Sequence, residues 1–520
     1  MTMSDDNGVV HVAMLPSAGM GHLTPFLRLA TFFLSHNIKV TLITPRPTLS
    51  LSESQLLSRF HSSFPQVDQI NFKVESSLFT QSPNSHMPIP YFQMIDHIRT
   101  SAAKALSPLL SSLSPPLSFF VSDYFMLSSV LPITQSISLP NYLLFTASAS
   151  FFALYSYFST LPSSLSELEA VEIQGVPPIP ISSIPPDLVA PNSIFKKVFI
   201  EDSSQVTKVD GIFINTFEAL EHEVLEAVNA GKVLTAMPPV LPFGPFVPCE
   251  FEKEGDQWIK PLKWLDDQPR GSVVFANFGT HTEFGWDQIR EIADGLVKSG
   301  SRFLLVVKDG KYFNGDDKNE EVGLEEVLGH ELVDKVRDKG LVMKEWVYQS
   351  GILSHEAIGG FLSHCGWNSI VEAAWNGVPI FGWPQRGDQK MNAEVVKMSG
   401  WGTWNKNWGW IGERLVTGEE IGDAIKVLMN NESFKIRASK IKEAARKGRS
   451  VGGDCEMTII RDIVSDFSDE DEIEFCGDEE EDVEIDSNEG DGNITYANSS
   501  SFFGLLILKL VVITDQGQVV

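Results

Sequence analysis

The chain has 520 residues, 43% hydrophobic and 21% charged, a composition ordinary for a globular protein and a length sufficient for two domains. Its formal charge of −28 is concentrated: 15 acidic residues and no Lys or Arg lie between Asp466 and Asp491, so the remainder carries about −13. An acidic body excludes nucleic acid as a natural partner.

The N-terminal MTMSDDN carries acids where a secretory signal needs a basic region, so no signal peptide is expected. Val9 to Leu15 is a short apolar run and predicts a buried first strand. Pro16 to Pro25 reads as a Gly-containing loop, Phe26 to Leu34 as a helix and Ile38 to Thr44 as a second strand. A βαβ opening predicts an α/β fold with a doubly wound parallel sheet. The loop lacks the full GxGxxG pattern, and Gly19-x-Gly21 alone says little about a nucleotide. His22 is its informative residue, because it falls at the C-terminal edge of the sheet, where such folds place their chemistry. Phe119 to Asp123 is another apolar run ending in an acid. From the residues alone, Asp123 can orient a histidine or cap a following helix. Ser148 to Tyr157 is rich in aromatic residues, most of them expected in the core. Gly175 to Pro191 is Pro-rich and predicts an extended loop. Gly211 to Phe217 reads as a late strand and Glu218 to Ala230 as its helix. Pro238 to Lys260 is a Pro- and Gly-bearing connector, which divides the chain into a domain of residues 1–240, a linker of 241–260 and a domain of 261–465.

The second half opens with a helix-like Lys263 to Asp267 and a strand from Ser272 to Phe278, with Thr280 just beyond, either a helix cap or a ligand contact. Phe303 to Lys308 and Leu341 to Glu345 are further strands, and Lys308 to Gly323 is a polar insertion expected to be a mobile loop. The densest stretch runs from Trp346 to Gln389. Within it, Gly359 to Ser363 predicts a short buried strand, His364 to Ser369 a tight turn, and Ile370 to Trp375 a helix ended by Gly377 and Pro379. Strand, small-residue turn and helix present a helix N-terminus to a phosphate, with Asn368 and Ser369 as donors. Glu372, one turn beyond Ser369, can face the same ligand, and a carboxylate there suits the paired hydroxyls of a ribose. Trp346 offers a flat face for a base. Glu394 to Met398, Gly418 to Asn430 and Ser433 to Gly448 read as helices. The tail, residues 466–520, is expected to be disordered along its acidic run. Its apolar Ser501 to Ile513 is too short to span a bilayer and is interrupted by Lys509, so no integral membrane segment is expected. Cys249, Cys365, Cys455 and Cys476 match neither a metal site nor a disulfide framework, which fits a reducing, cytoplasmic compartment.

The Trp346–Gln389 block closely resembles the signature of plant family 1 UDP-glycosyltransferases: W-x-x-Q, then H-x-x-x-G-x-F-x-x-H-C-G-W-N-S, then E, G-V-P, P and D-Q. The resemblance implies the GT-B arrangement, two Rossmann-like domains facing each other across a cleft. It implies that Trp346, with Val347 beside it, stacks on uracil, that Gln349 meets the ribose, and that Glu372 holds its hydroxyls. His364, Asn368, Ser369 and Thr280 would bind the diphosphate, and Trp367, Asp388 and Gln389 the sugar. The GMGHLTP loop resembles the family's base-bearing loop, making His22 the catalytic base and Asp123 its partner. One or two aromatic residues of the Ser148–Tyr157 stretch would line an acceptor pocket.

PSAGMGHLTPFLRLA, the EAAWNGVPIFGWPQRGDQKMNAEVV run and Trp408-Gly-Trp410 resemble plant C-glycosyltransferases acting on 2-hydroxyflavanones and dihydrochalcones. The implied reaction takes UDP-glucose as donor and a small phenolic acceptor, inverts the anomeric carbon, and uses no cofactor and no metal; the enzyme is expected to be a monomer. An O-glucosyltransferase for flavonoids or related phenols shares the same fold. A non-catalytic nucleotide-sugar binder with an acidic recruiting tail is a rival of another class, against which the intact His22, Asp123 and signature block speak.

Overall fold

The computed structural model describes residues 9–46, 50–74, 91–253, 259–279, 282, 284–307, 323–344 and 347–449. Thr280, Trp346, most of the polar insertion, Cys455, Cys476 and the acidic tail with its apolar run lie outside them.

The first half is built on strands β1 (His11–Leu15), β2 (Lys39–Arg46), β3 (Asp68–Lys73), β4 (Phe119–Asp123) and β5 (Asn141–Phe145). After a small antiparallel hairpin, β6 (Ala170–Ile173) with β7 (Val176–Pro180), come β8 (Gly211–Ile214) and β9 (Val240–Pro242). The main sheet is parallel throughout, ordered β3-β2-β1-β4-β5-β8-β9. The second half holds β10 (Val273–Asn277), β11 (Arg302–Val306), β12 (Gly340–Met343), β13 (Ile358–Ser363), β14 (Ile380–Gly382) and β15 (Gly402–Trp404), again parallel, ordered β12-β11-β10-β13-β14-β15. These are two Rossmann-like units.

Parallel sheets carry helices on both faces, so their strands read as continuous apolar runs. Strand β1 illustrates this: Ala13 and Leu15 enter one hydrophobic cluster while Val12 and Met14 enter the cluster on the opposite face. In the second sheet Phe275 stacks on Phe361 at 5.0 Å on one face, while Val274 and Leu362 pack on the other. Among the described residues no helix is long and apolar enough to cross a membrane.

The chain reverses direction across each sheet between two neighbouring strands. In the first these are β1 and β4; in the second, β10 and β13. The strands on either side send their connections to opposite faces, which opens a crevice beyond the carboxyl ends, where ligands of such sheets bind.

The structure revises several local expectations. The first helix spans Met20–Ser35, so His22 lies in its first turn and not in a loop. Gly19, at φ 102°, makes the turn out of β1 that lets the helix start early. Pro25 stands inside this helix and has no N–H to give the Gly21 carbonyl four residues back. The signature helix likewise begins at Trp367, with Gly366 as its N-cap, so the turn shrinks to three residues and places Cys365 at φ 62°. The Pro-rich 175–191 stretch is not all loop. Its prolines fit the two-stranded hairpin and the first turn of a short helix, Pro186–Val189. Strand β9 falls within the connector and adds a seventh strand to the first sheet. The helix before β15 starts at Gln389, five residues earlier than its apolar pattern indicates.

Candidate active site

A cavity of about 330 Å³ lies between the two sheets and draws its walls from both switch points. From the first domain come the start of the Met20 helix and Tyr124, just after β4. From the second come Asn277 at the end of β10, Gly279 just beyond it, and His364 with Gly366 to Ser369 after β13.

His22 and Asp123 are 101 residues apart in sequence but follow adjacent strands. His22 Nδ1 donates to Asp123 Oδ2 at 2.9 Å. Asp123 is fully buried, and its other oxygen accepts the Phe125 N–H at 2.9 Å, so the carboxylate cannot turn away. The helix after β4 begins only at Leu127, so Asp123 holds the histidine while also closing the local turn. With Nδ1 committed, Nε2 is the nitrogen carrying the lone pair. The rings of Tyr124 and Phe125 lie 5.3 Å from the imidazole and pack it from the side.

On the opposite wall the first hydrogen bond inside the signature helix runs from Ile370 N to Gly366 O, at 3.1 Å. The backbone N–H groups of Trp367, Asn368 and Ser369 therefore have no partner within the helix, and these residues line the cavity. Together with the helix dipole they make a helix N-terminus suited to an anion. His364 also lines it, wedged between two glycines. A Cβ at Gly279 or at Gly366 would come within 2.5 Å of His364 Nε2, and Gly279 also sits at φ 78°. Gly279→Ala is expected to cost about 1–3 kcal/mol in urea denaturation, much of it backbone strain that His364→Ala does not relieve. The cost of Gly366→Ala, whose φ is ordinary, should largely vanish in a His364→Ala background.

Gln349 and Glu372 form a connected pair. Gln349 Nε2 donates to Glu372 Oε2 and to Ser369 Oγ, both at 3.0 Å, and its Oε1 accepts from Asn277 Nδ2 at 2.9 Å. Val347 is buried in the adjoining wall. Asp388 stands at the N-cap position of the Gln389 helix without a side-chain capping bond, and accepts from Asn392 Nδ2 at 2.8 Å; burial pushes its carboxyl up despite that hydrogen bond. Gln389 Oε1 accepts the backbone N–H groups of Gln385 and Arg386, leaving its amide nitrogen to donate. The Trp367 indole Nε1 donates to Asn215 O in the first domain at 2.8 Å, and the residue lines the cavity.

Every predicted site residue within the described region lines the cavity except Asp123, which stands behind His22. The aromatic residues from Ser148 to Tyr157 do not. Phe151, Phe152 and Tyr155 are core residues packed around Phe145 and Phe199, and none is among the lining residues described.

Sequence reasoning missed Arg28. It is buried, and its Nη2 donates at 2.7 Å to both Glu252 Oε2 and Glu372 Oε1, tying the first helix to the connector and to the second domain. Burial opposes its charge, but the two carboxylates together outweigh this and hold its pKa above the ordinary value. The signal was a lone cation inside an apolar helical stretch, PFLRLATFFL. Nothing in the sequence pointed to Glu252.

The sequence and the two-domain fold have counterparts among known proteins. Residues 264–445 match the family described as UDP-glucoronosyl and UDP-glucosyl transferase. UDP-glycosyltransferase 708D1 of Glycine max is 48% identical, over 89% of this chain and 98% of that one. UDP-glycosyltransferase CGT of Oryza sativa subsp. japonica is 38% identical, over 86% of this chain and 94% of that one. The crystal structure of LpCGTa in complex with UDP superposes with a TM-score of 0.76 at 38% identity, over 88% of this chain and 99% of that one. Likeness of this extent takes in both sheets and the cleft between them, and the chain accordingly belongs to the plant family 1 UDP-glycosyltransferases, enzymes of the GT-B fold.

Proposed function

We propose that the chain transfers glucose from UDP-glucose to a flavonoid-type phenol with inversion, and that it forms C-glucosides of 2-hydroxyflavanones or dihydrochalcones. The observation that carries the reading is the 2.9 Å His22–Asp123 pair at the wall of the cavity, opposite the helix N-terminus of the second domain. His22 takes the proton of an acceptor hydroxyl, and Asp123 stabilises the imidazolium. The acceptor attacks the anomeric carbon as the bond to UDP breaks. The departing diphosphate is met by the N–H groups at the Trp367 helix start, by Asn368, and by His364. In this reading Glu372 and Gln349 receive the ribose, and Trp367, Asp388 and Gln389 the sugar. A solved relative in complex with UDP supports the donor assignment. Trp346 and Thr280 keep the base and phosphate roles that their family resemblance implies.

Carbon attack is chemically accessible to the same base. Removing a hydroxyl proton from a phloroglucinol-type ring gives a phenolate whose charge is shared with the ortho carbons. The atom that bonds is the one held about 3–3.5 Å from the anomeric carbon along the line of attack. Support for carbon comes from the C-glycosyltransferase-like sequence stretches. Incubation with UDP-glucose and phloretin or a 2-hydroxyflavanone tests it: the product is expected to survive hot acid and β-glucosidase. Release of the free aglycone makes the enzyme an O-glucosyltransferase.

A further inference from the structure

We propose that Arg28, a residue of the first domain, is a positioning residue for the donor's ribose, holding Glu372 so that the carboxylate keeps two acceptor positions open to the cleft. The inference rests on the reading that Glu372 receives the ribose hydroxyls. Arg28 engages Glu252 with both arms of its fork: Nε donates to Oε1 at 2.8 Å and Nη2 to Oε2 at 2.7 Å. Nη2 also donates to Glu372 Oε1 at 2.7 Å, and Nη1 reaches the Phe246 carbonyl at 3.4 Å. Glu252 Oε1 accepts the Cys249 N–H as well, which anchors this carboxylate to the connector.

An ionised carboxylate has about four acceptor positions. Arg28 takes one on Glu372 Oε1 and Gln349 takes one on Oε2. About two remain, the number a vicinal diol needs, and both Glu372 and Arg28 line the cavity. One guanidinium faces two carboxylates, so the cluster keeps a net negative charge for accepting hydroxyl protons. The side chains of Arg28 and Glu372 are only 3% and 7% exposed. Without the cation, Glu372 would be a nearly buried carboxylate with only a neutral amide to hold it, and free to rotate. The ribose site of the second domain is thus completed by a side chain 344 residues away, on the helix that also carries His22.

The test measures calorimetric affinity for UDP and for 2′,3′-dideoxy-UDP, which lacks both hydroxyls, in the full chain. Arg28→Met is expected to weaken UDP about ten-fold or more and to leave the dideoxy nucleotide within about two-fold. Arg28→Lys, which keeps the charge but not the fork, should recover part of the loss, a rescue that a packing role would not give. If Arg28→Met does not fold, the charge-balanced Arg28→Met/Glu252→Gln removes the cation with its second carboxylate and should show the same pattern. Equal losses for both nucleotides, or equal losses in the Lys and Met variants, overturn the proposal. Glu372→Ala separates the two readings. If it discriminates between the nucleotides while the Arg28 variants do not, only the Arg28 proposal fails. If it does not discriminate, the ribose assignment itself fails.

Discussion

His22→Ala is expected to lower turnover about 10²–10⁴-fold, the usual worth of a positioned general base and about 3–5 kcal/mol of barrier. The change should be confined to the chemical step. His22 touches the second domain at no described hydrogen bond, and the anion site lies at the far wall on the Trp367 helix. UDP affinity should therefore remain close to that of the parent. The imidazole ring is 13% exposed, so its loss opens a small polar gap at the cavity wall and does not empty the core. Residual turnover should climb about ten-fold per pH unit as the acceptor phenol ionises unaided, and level off near the phenol's own pKa. A variant that turns over at near-parental rate, or whose loss follows UDP affinity, removes His22 from the mechanism.

Glu372→Ala is expected to weaken UDP binding by about 1–3 kcal/mol, roughly 5–150-fold, because the ribose hydroxyls and the Gln349 amide both lose an acceptor in a site sheltered from water. The truncation also leaves Arg28 with a single carboxylate, so the melting temperature should fall as well. Glu252 still holds two of the guanidinium nitrogens, and the variant is expected to fold. Unchanged UDP affinity by calorimetry would move the ribose elsewhere.

The sequence carried the second domain's half of the site well. The signature block is continuous, its strand, turn and helix are read from local signals, and Glu372 at one turn from Ser369 follows from helical period alone. The first domain's half was less open to reading. A strand end at Asp123 and a glycine-bearing segment at His22 were visible, but their 2.9 Å approach depends on β1 pairing with β4, a long-range fact that no local pattern encodes. The early starts of the Met20 and Trp367 helices were hidden for one reason. Gly, Pro, Asn and Ser signal turns, yet the same residues suit the first turn of a helix, where N–H groups lack partners in any case. Arg28 and Glu252 were out of reach because a buried ion pair between elements 224 residues apart has no signature beyond one charge in an apolar stretch.

Pro25 has a consequence for how separable the two domains are. By withholding its N–H it leaves the Gly21 carbonyl, one residue before the base, without its normal partner in the helix. Asn368 Nδ2, from the opposite domain, donates to that oxygen at 3.3 Å. An amide nitrogen carries two protons. One serves Gly21 and the other is left to donate elsewhere, so in the proposed reaction this side chain would join the diphosphate site to the helix that carries His22. Grafting this second domain onto a first domain whose first helix lacks the proline would make Asn368 share that oxygen with an N–H of the helix, on the second of its two lone pairs. A chimera would then hold this one contact differently, while the pairs of Arg28 with Glu372 and of Trp367 with Asn215 would still have to match across the cleft. Pro25 and Asn368 are thus one of the pairs that an exchange of the two domains would have to carry over together.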